Sequence, residues 1–248
     1  MNGSTPRAFI ALGGNRGDVA STFAAALQQL GDCPRVELLQ TSGIYSSSPM
    51  GAAAGKGFLN AVAEVRTDWE PVRLLEHLHA LEHRFGRVRD VAWGPRTLDL
   101  DLLYVGDQTV ATTTLTLPHT HAWYRRFVLA PMCEIAADFR HPLFGKTQAE
   151  LLDRIDVRPL VVALRDCPSI GPVALDRLCA DFPQADFQSA DEPSAAVVVT
   201  ESRLQHSEFP QISLATLPGQ PAEALRAVLE AMLGRCERGS AAVHITEK

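Results

Sequence analysis

Apolar residues crowd Ala8 to Leu12 and stop at Gly13-Gly14-Asn15-Arg16-Gly17-Asp18, which predicts a strand ended by a turn. Ser21 then precedes Phe23, Leu27 and Leu30 at helical spacing, with Gly31 as the stop. Val36 to Tyr45 reads as a second strand and Ser46 to Gly57, rich in Ser, Ala and Gly, as a loop. Leu59, Ala61, Ala63 and Val65 alternate with Asn60, Glu64 and Arg66, the period of a half-buried strand. Pro71 opens a helix whose Leu74, Leu75, Leu78, Leu81 and Phe85 share one stripe, closed by Gly86. An arginine-rich loop leads to a strand over 98–105, followed by helices over 127–137 and 148–155. The order β-α-β-β-α-β predicts an α+β, ferredoxin-like antiparallel sheet with its two helices on one face.

Beyond Val157 the pattern restarts. It predicts strands over 160–164, 195–200 and 212–217 and helices over 173–182 and 222–233, a small C-terminal α/β unit of flavodoxin-like kind. Two domains are therefore expected, 1–156 and 157–248. A receiver-type phosphoacceptor is disfavoured, because Arg165-Asp166-Cys167 follows the first strand of this unit and no lysine precedes Lys248. A homodimer contact or a regulatory contact is the expected role, with an inert extension as the alternative.

The chain of 248 residues is 46% hydrophobic and 21% charged, which excludes collagen, coiled coil and wholesale disorder. No apolar run approaches the roughly 18 residues of a membrane span, so a cytoplasmic protein with no membrane partner is expected. Cys33, Cys133, Cys167, Cys179 and Cys236 are odd in number and lack a C-x-x-C pair, arguing against a disulfide framework or cysteine-zinc site. A net charge of -6 argues against a nucleic-acid partner. Arg84, Arg87, Arg89 and Arg96 nevertheless cluster, which suggests a small anionic ligand.

The strongest chemical signal is Trp93-Gly94-Pro95-Arg96-Thr97-Leu98-Asp99-Leu100-Asp101-Leu102. On a strand, Leu98, Leu100 and Leu102 line the core while Asp99 and Asp101 project together from the other face. Two adjacent carboxylates suit a hard divalent cation such as Mg²⁺, although a solvated strand face carries the same pattern. Arginines just upstream favour the first reading, since guanidinium forks neutralise phosphate oxygens that a cation also bridges. His119, His121, Arg125 and Arg126 form a second polar group at a helix entrance, from which one or more could reach phosphates. Zinc on His119 and His121 lacks further ligands, and His79 and His83 read as a solvated helix face. Phe58 and Phe127 stand beside polar Asn60 and Arg126, as core residues or as a sandwich for a flat heterocycle.

Residues 8 to about 153 closely resemble the 6-hydroxymethyl-7,8-dihydropterin pyrophosphokinase family of folate biosynthesis. The likeness rests on Phe9 to Asn15, the Tyr45 to Gly51 loop, Phe58-Leu59-Asn60-Ala61, Gly86-Arg87-Val88-Arg89, Trp93 through Asp101, and Pro118-His119 with Arg125 and Phe127. It implies an ATP-dependent diphosphotransferase in which Arg87, Arg96, Asp99 and Asp101 are catalytic and the two aspartates hold two Mg²⁺ ions. It places Glu82, Arg89, His119 and Arg125 on ATP. Ser47, Pro49, Met50, Phe58, Asn60, Trp93 and Phe127 would take the pterin, with Trp93 on a closing loop. Thr120 stands where the family often has a bulkier side chain. A catalytically dead binding module and an RNA-binding ferredoxin-like domain are the competing classes; retention of the aspartates counts against the first, acidity against the second.

Overall fold

In a computed structural model, which describes residues 5–48, 57–87, 96–189, 195–201 and 211–240, the first apolar run forms strand β1 (Arg7–Gly14). Helix α1 (Val19–Gly31) starts two residues before Ser21, because Asp18 is the cap: its carboxylate accepts the Ser21 N–H at 3.1 Å and the Ser21 hydroxyl at 2.7 Å. The single strand expected over 36–45 is two, β2 (Val36–Thr41) and β3 (Tyr45–Ser47). Ser42 separates them by turning inward, where its hydroxyl accepts the Val62 N–H at 2.9 Å. Strand β4 (Phe58–Thr67), helix α2 (Pro71–Arg84) and strand β5 (Asp99–Val105) follow. A hairpin of β6 (Val110–Ala111) and β7 (Thr116–Leu117) then leads to helices α3 (Arg126–Ala136) and α4 (Gln148–Asp156).

Strands β3, β4, β1 and β5 lie side by side in that order, all antiparallel, and β2 shares the outer flank of β4 with β3. Ile10, Leu12, Ala63, Val65, Leu100 and Leu102 face α1 and α2, meeting Phe23, Leu27, Leu74, Leu78 and Leu81. Burial of each large side chain stabilises the layer by about 1.5–3 kcal/mol. The opposite face is half covered: Phe9, Val62 and Leu103 pack against Val128 and Met132 of α3. The uncovered half is where the site lies.

The second part contains β8 (Leu160–Arg165), α5 (Pro172–Asp181), β9 (Ala185–Ser189), β10 (Val197–Thr200), β11 (Gln211–Ser213), α6 (Pro221–Leu233) and β12 (Cys236–Arg238). Its four-stranded sheet is parallel, in the order β9, β8, β10, β11. The strand expected over 212–217 ends at Ser213 and becomes a short 3₁₀ turn. The two parts are not independent. Trp123, Tyr124, Leu129, Leu151 and Ile155 share one core with Leu160, Val162, Val199, Leu225 and Met232, and β12 returns to pair with β3 in the first sheet. All five cysteines are free, and among the described residues no helix is long and apolar enough to cross a membrane.

Candidate active site

The alternation along β5 sends Leu100 and Leu102 into the helix layer and leaves Asp99 and Asp101 on the half-covered face. Across the sheet, Asp99 lies opposite Gly13 and Asp101 opposite Ala11; on the other flank of β1, Asn60 lies opposite Gly13. Small residues on the middle strand thus leave a hollow between an amide and two carboxylates. The resulting cavity, about 270 Å³, has Gly13 and Ala11 in its floor and Ser47, Ser48, Phe58, Asn60, Arg96, Asp99, Asp101, His119, Arg125 and Phe127 in its walls. A Cβ on Gly13 would stand 3.6 Å from the Asp99 Cβ and 3.9 Å from Asn60 Oδ1, in that floor. The amide of Asn60 is oriented by donating to the Ser47 hydroxyl at 2.9 Å.

The glycine turn after β1 fixes Arg96. Asn15 and Arg16 N–H groups both donate to the Arg96 carbonyl, at 2.9 and 3.1 Å, and the Arg96 N–H returns to Asn15 Oδ1 at 2.8 Å. Gly14 is required there, because a Cβ would come within 2.9 Å of the Thr97 carbonyl oxygen.

Four charges form an alternating chain: Glu82 pairs with Arg87, Arg87 lies 2.5 Å from Asp99 Oδ1, and Asp99 pairs with Arg96. Glu82, expected on the nucleotide, is 2% exposed and does not line the cavity; it accepts the Leu100 N–H at 2.7 Å as well as Arg87. Its carboxylate therefore ties α2 to β5 and holds Arg87, which lines a second hollow rather than this cavity. No hydrogen bond or ion pair from the described residues reaches the Asp101 carboxylate, and buried Asp99 Oδ1 accepts no hydrogen bond despite its nearby guanidinium. Two carboxylates on one wall with unfilled acceptor capacity fit Mg²⁺, which keeps waters and phosphate oxygens as its other ligands. Among the described residues there is no cluster of three or more His, Cys, Asp or Glu of the kind zinc needs.

His119 accepts the His121 N–H on Nδ1 at 3.2 Å, which leaves its proton on Nε2. Burial, then the Arg125 guanidinium, pushes its pKa down to about 3, with Asp99 opposing. His121 falls to about 3 for the same first two causes, with His119 adding to them, and bonds to the Tyr124 hydroxyl at 3.0 Å. Both rings are thus neutral, and His119 offers an N–H donor. Arg125 lies over Phe127, 5.7 Å from the ring centroid, and its buried Nε makes no hydrogen bond. Arg126, grouped with Arg125 from the sequence, points elsewhere and bonds to the Met232 carbonyl at 2.9 Å. A second hollow of about 410 Å³, with Leu75, His79, Arg87, Thr116, Thr120 and His121 among its walls, shares Asp101 and His119 with the first. Pro49, Met50, Arg89 and Trp93 lie outside the described residues.

The site sequence and its order of elements are those of a known family. Residues 9–137 match 7,8-dihydro-6-hydroxymethylpterin-pyrophosphokinase (HPPK). The 2-amino-4-hydroxy-6-hydroxymethyldihydropteridine pyrophosphokinase of Synechocystis is 37% identical over 167 residues, covering 67% of this chain and 80% of that one. Its counterpart from Pseudomonas aeruginosa is 42% identical over 146 residues, or 59% of this chain and 90% of that one. A Plasmodium falciparum HPPK-DHPS structure shares the fold with a TM-score of 0.50 at 12% identity, over 79% of this chain and 58% of that longer one. A match running from β1 through the end of α3, more than half of the chain, makes this protein a member of the 7,8-dihydro-6-hydroxymethylpterin-pyrophosphokinase family.

Proposed function

We propose that the chain transfers pyrophosphate from ATP to 6-hydroxymethyl-7,8-dihydropterin, releasing AMP and the pterin diphosphate for folate biosynthesis. The observation that carries this reading is the pair of hollows joined at Asp101 and His119. One is flanked by two phenylalanines and an oriented amide, as a flat polar heterocycle needs. Phe58 and Phe127 take the pterin faces, and Asn60 with Ser47 reads its edge. The other hollow accepts the nucleotide, so that the hydroxymethyl oxygen and the phosphates meet at the shared wall.

In the transfer, the hydroxyl oxygen bonds to the β-phosphorus and the bond from that phosphorus to the α-phosphate oxygen breaks. AMP leaves with that oxygen, and the hydroxyl proton is released. Positioning and charge neutralisation dominate such a step. Arg87 and Arg96 grip the moving group, while Arg125 and the His119 Nε2–H hold phosphate oxygens. Asp99 and Asp101 would hold Mg²⁺, with two ions the proposed count, and the metal would supply Lewis-acid neutralisation of phosphate charge. Glu82 acts by positioning Arg87. Arg89, Trp93, Pro49 and Met50 stay in the proposed set on their motifs.

The strand orders support a ferredoxin-like unit over 1–156 and a flavodoxin-like unit over 157–248. The latter spends its apolar face on Trp123, Tyr124 and Leu129 of the same chain, so we read its main contact as intramolecular rather than as a homodimer seam. The proposed setting is cytoplasmic, with small-molecule partners only. Purified full-length protein should release AMP from ATP only when both Mg²⁺ and the hydroxymethyl-dihydropterin are supplied; absence of AMP under those conditions would overturn the reading.

A further inference from the structure

Two walls of the 270 Å³ cavity are held by residues from the far end of the chain. The first wall contains Ser47 and Ser48. Beside it, β12 sets Cys236 opposite Ser47, Glu237 opposite Ser46 and Arg238 opposite Tyr45. Main-chain bonds close both ends of this ladder: the Ser48 N–H donates to the Arg235 carbonyl at 3.2 Å, and the Gly239 N–H to that of Ile44 at 2.8 Å. Arg238 also reaches Glu134 of α3 at 2.6 Å, and that carboxylate accepts the Tyr45 hydroxyl at 2.9 Å and the Gly43 N–H at 3.2 Å. Without β12, a three-residue strand would form the edge of the sheet beside the cavity.

The second wall is the start of α3, with Arg125 and Phe127. Arg126, between them, donates to the Met232 carbonyl at 2.9 Å and pairs with Asp156. Met232 lies in the last turn of α6, whose carbonyls lack helical partners. Only three residues separate it from β12. Gly234 makes that tight passage possible, because a Cβ there would fall 2.4 Å from the Glu230 carbonyl oxygen.

We propose that α6 and β12 form a brace that sets the spacing between the Ser47–Ser48 wall and the Phe127 wall, with Arg126 and Arg238 as positioning residues for pterin binding. This rests on the reading of the cavity as the pterin site. The 410 Å³ hollow is walled by α2, β5 and residues 114–121, away from the brace, so the effect falls mainly on the pterin, and only Arg125, in the braced wall, carries a smaller share to the phosphates.

The test uses full-length variants. Glu237→Pro removes a main-chain donor from β12 at an exposed position, and Arg238→Ala removes the Glu134 contact, with Arg238→Lys as the conservative rescue. Steady-state constants for both substrates, pterin titration by fluorescence and circular dichroism are measured together. Glu237→Pro is expected to raise KM for the pterin about tenfold while KM for ATP stays within about twofold. Arg238→Ala should follow to a smaller degree and Arg238→Lys should recover. A folded Glu237→Pro protein with unchanged pterin KM, or with equal rises for both substrates, would overturn the brace. Should Glu237→Pro not fold, Arg238→Ala decides by the same split. If the wild type releases no AMP, the activity reading fails instead, and the pterin titration alone decides the brace.

Discussion

Asp99 and Asp101 sit two residues apart on one strand, yet their surroundings differ enough that replacing each by asparagine should give different proteins. Asp99 lies between Arg87 and Arg96, with side-chain exposures of 17%, 13% and 29% for the three residues. Removing one partner from a fully buried ion pair costs about 3–5 kcal/mol, while an exposed pair contributes about 0–1 kcal/mol. The intermediate burial here, with an asparagine oxygen still able to accept from one guanidinium, puts the loss for Asp99→Asn at about 1–3 kcal/mol. For a chain of this size that lowers the melting temperature by roughly 3–10 °C. Asp101 has no such partner among the described residues, so Asp101→Asn should change stability by no more than about 0.5 kcal/mol. Turnover should fall in both. Loss of a metal carboxylate removes several kcal/mol of charge stabilisation, at least about a hundredfold in rate. Thermal melts in EDTA and AMP release at saturating substrates separate the two effects. Equal melting temperatures for the two variants would refute the ion-pair assignment, and an Asp101→Asn enzyme keeping more than about a tenth of its turnover would refute the metal assignment.

Gly13→Ala should leave melting unchanged, since its Cβ meets only ordinary contacts at 3.6 and 3.9 Å, while pterin titration shows binding weakened by the filled floor; unaltered binding would contradict the cavity assignment. A chain ending at residue 156 would bare Trp123, Tyr124, Leu129, Leu151 and Ile155, and should be insoluble or lack a cooperative melt, which a soluble, sharply melting fragment would disprove. Burial holds His119 and His121 near about 3 and His141 near about 4, against 6.5 for a free histidine, so the unfolded chain binds protons below about pH 6.5 that the native state refuses. Their contribution is complete above about pH 6.5 and drains as pH falls toward the folded values; melting temperatures that rise on acidification from pH 7 to 5 would contradict it.

The alternation of Leu98, Leu100 and Leu102 with Asp99 and Asp101 exposed both the strand and the carboxylate pair, because period two is a local property of the sequence. What sits opposite them is a matter of register. Gly13 and Ala11 reach the cavity floor only once β1 pairs with β5, and small residues on a central strand carry no local signal. Arg125 and Arg126 look alike in sequence, but Arg125 is the extended cap before α3 and Arg126 its first helical residue, so one enters the cavity while the other grips α6. Glu82 is expected on ATP from the family resemblance; its contact with the Leu100 N–H, eighteen positions away on another element, has no local signal in the sequence. Strand β12 reads Cys-Glu-Arg and β9 reads Ala-Asp-Phe-Gln-Ser, too short or too polar for a hydrophobic period, and β12 exists because an edge strand needed its main-chain partners.

The charge pattern of the free site also explains how it stays open. Arg96 beside one hollow and Arg87 beside the other would repel each other and swing into solvent unless anions held them, and the chain Glu82, Arg87, Asp99, Arg96 supplies one carboxylate for each. Two groups fall outside this internal matching: the carboxylate of Asp101, and Arg125, whose Nε has no hydrogen-bond partner. A nucleotide arriving with its divalent cation can satisfy both without first breaking a pair. On the proposed reading Arg87 and Arg96 would exchange Asp99 for phosphate oxygens, and Asp99, released from them, would hold the cation. Arg87, Arg96 and Asp99 would then keep partners throughout, so that the two arginines are ordered before binding. On that reading Asp99 would do two jobs in succession, counter-ion to Arg87 and Arg96 and then metal ligand, whereas Asp101 would do only the second.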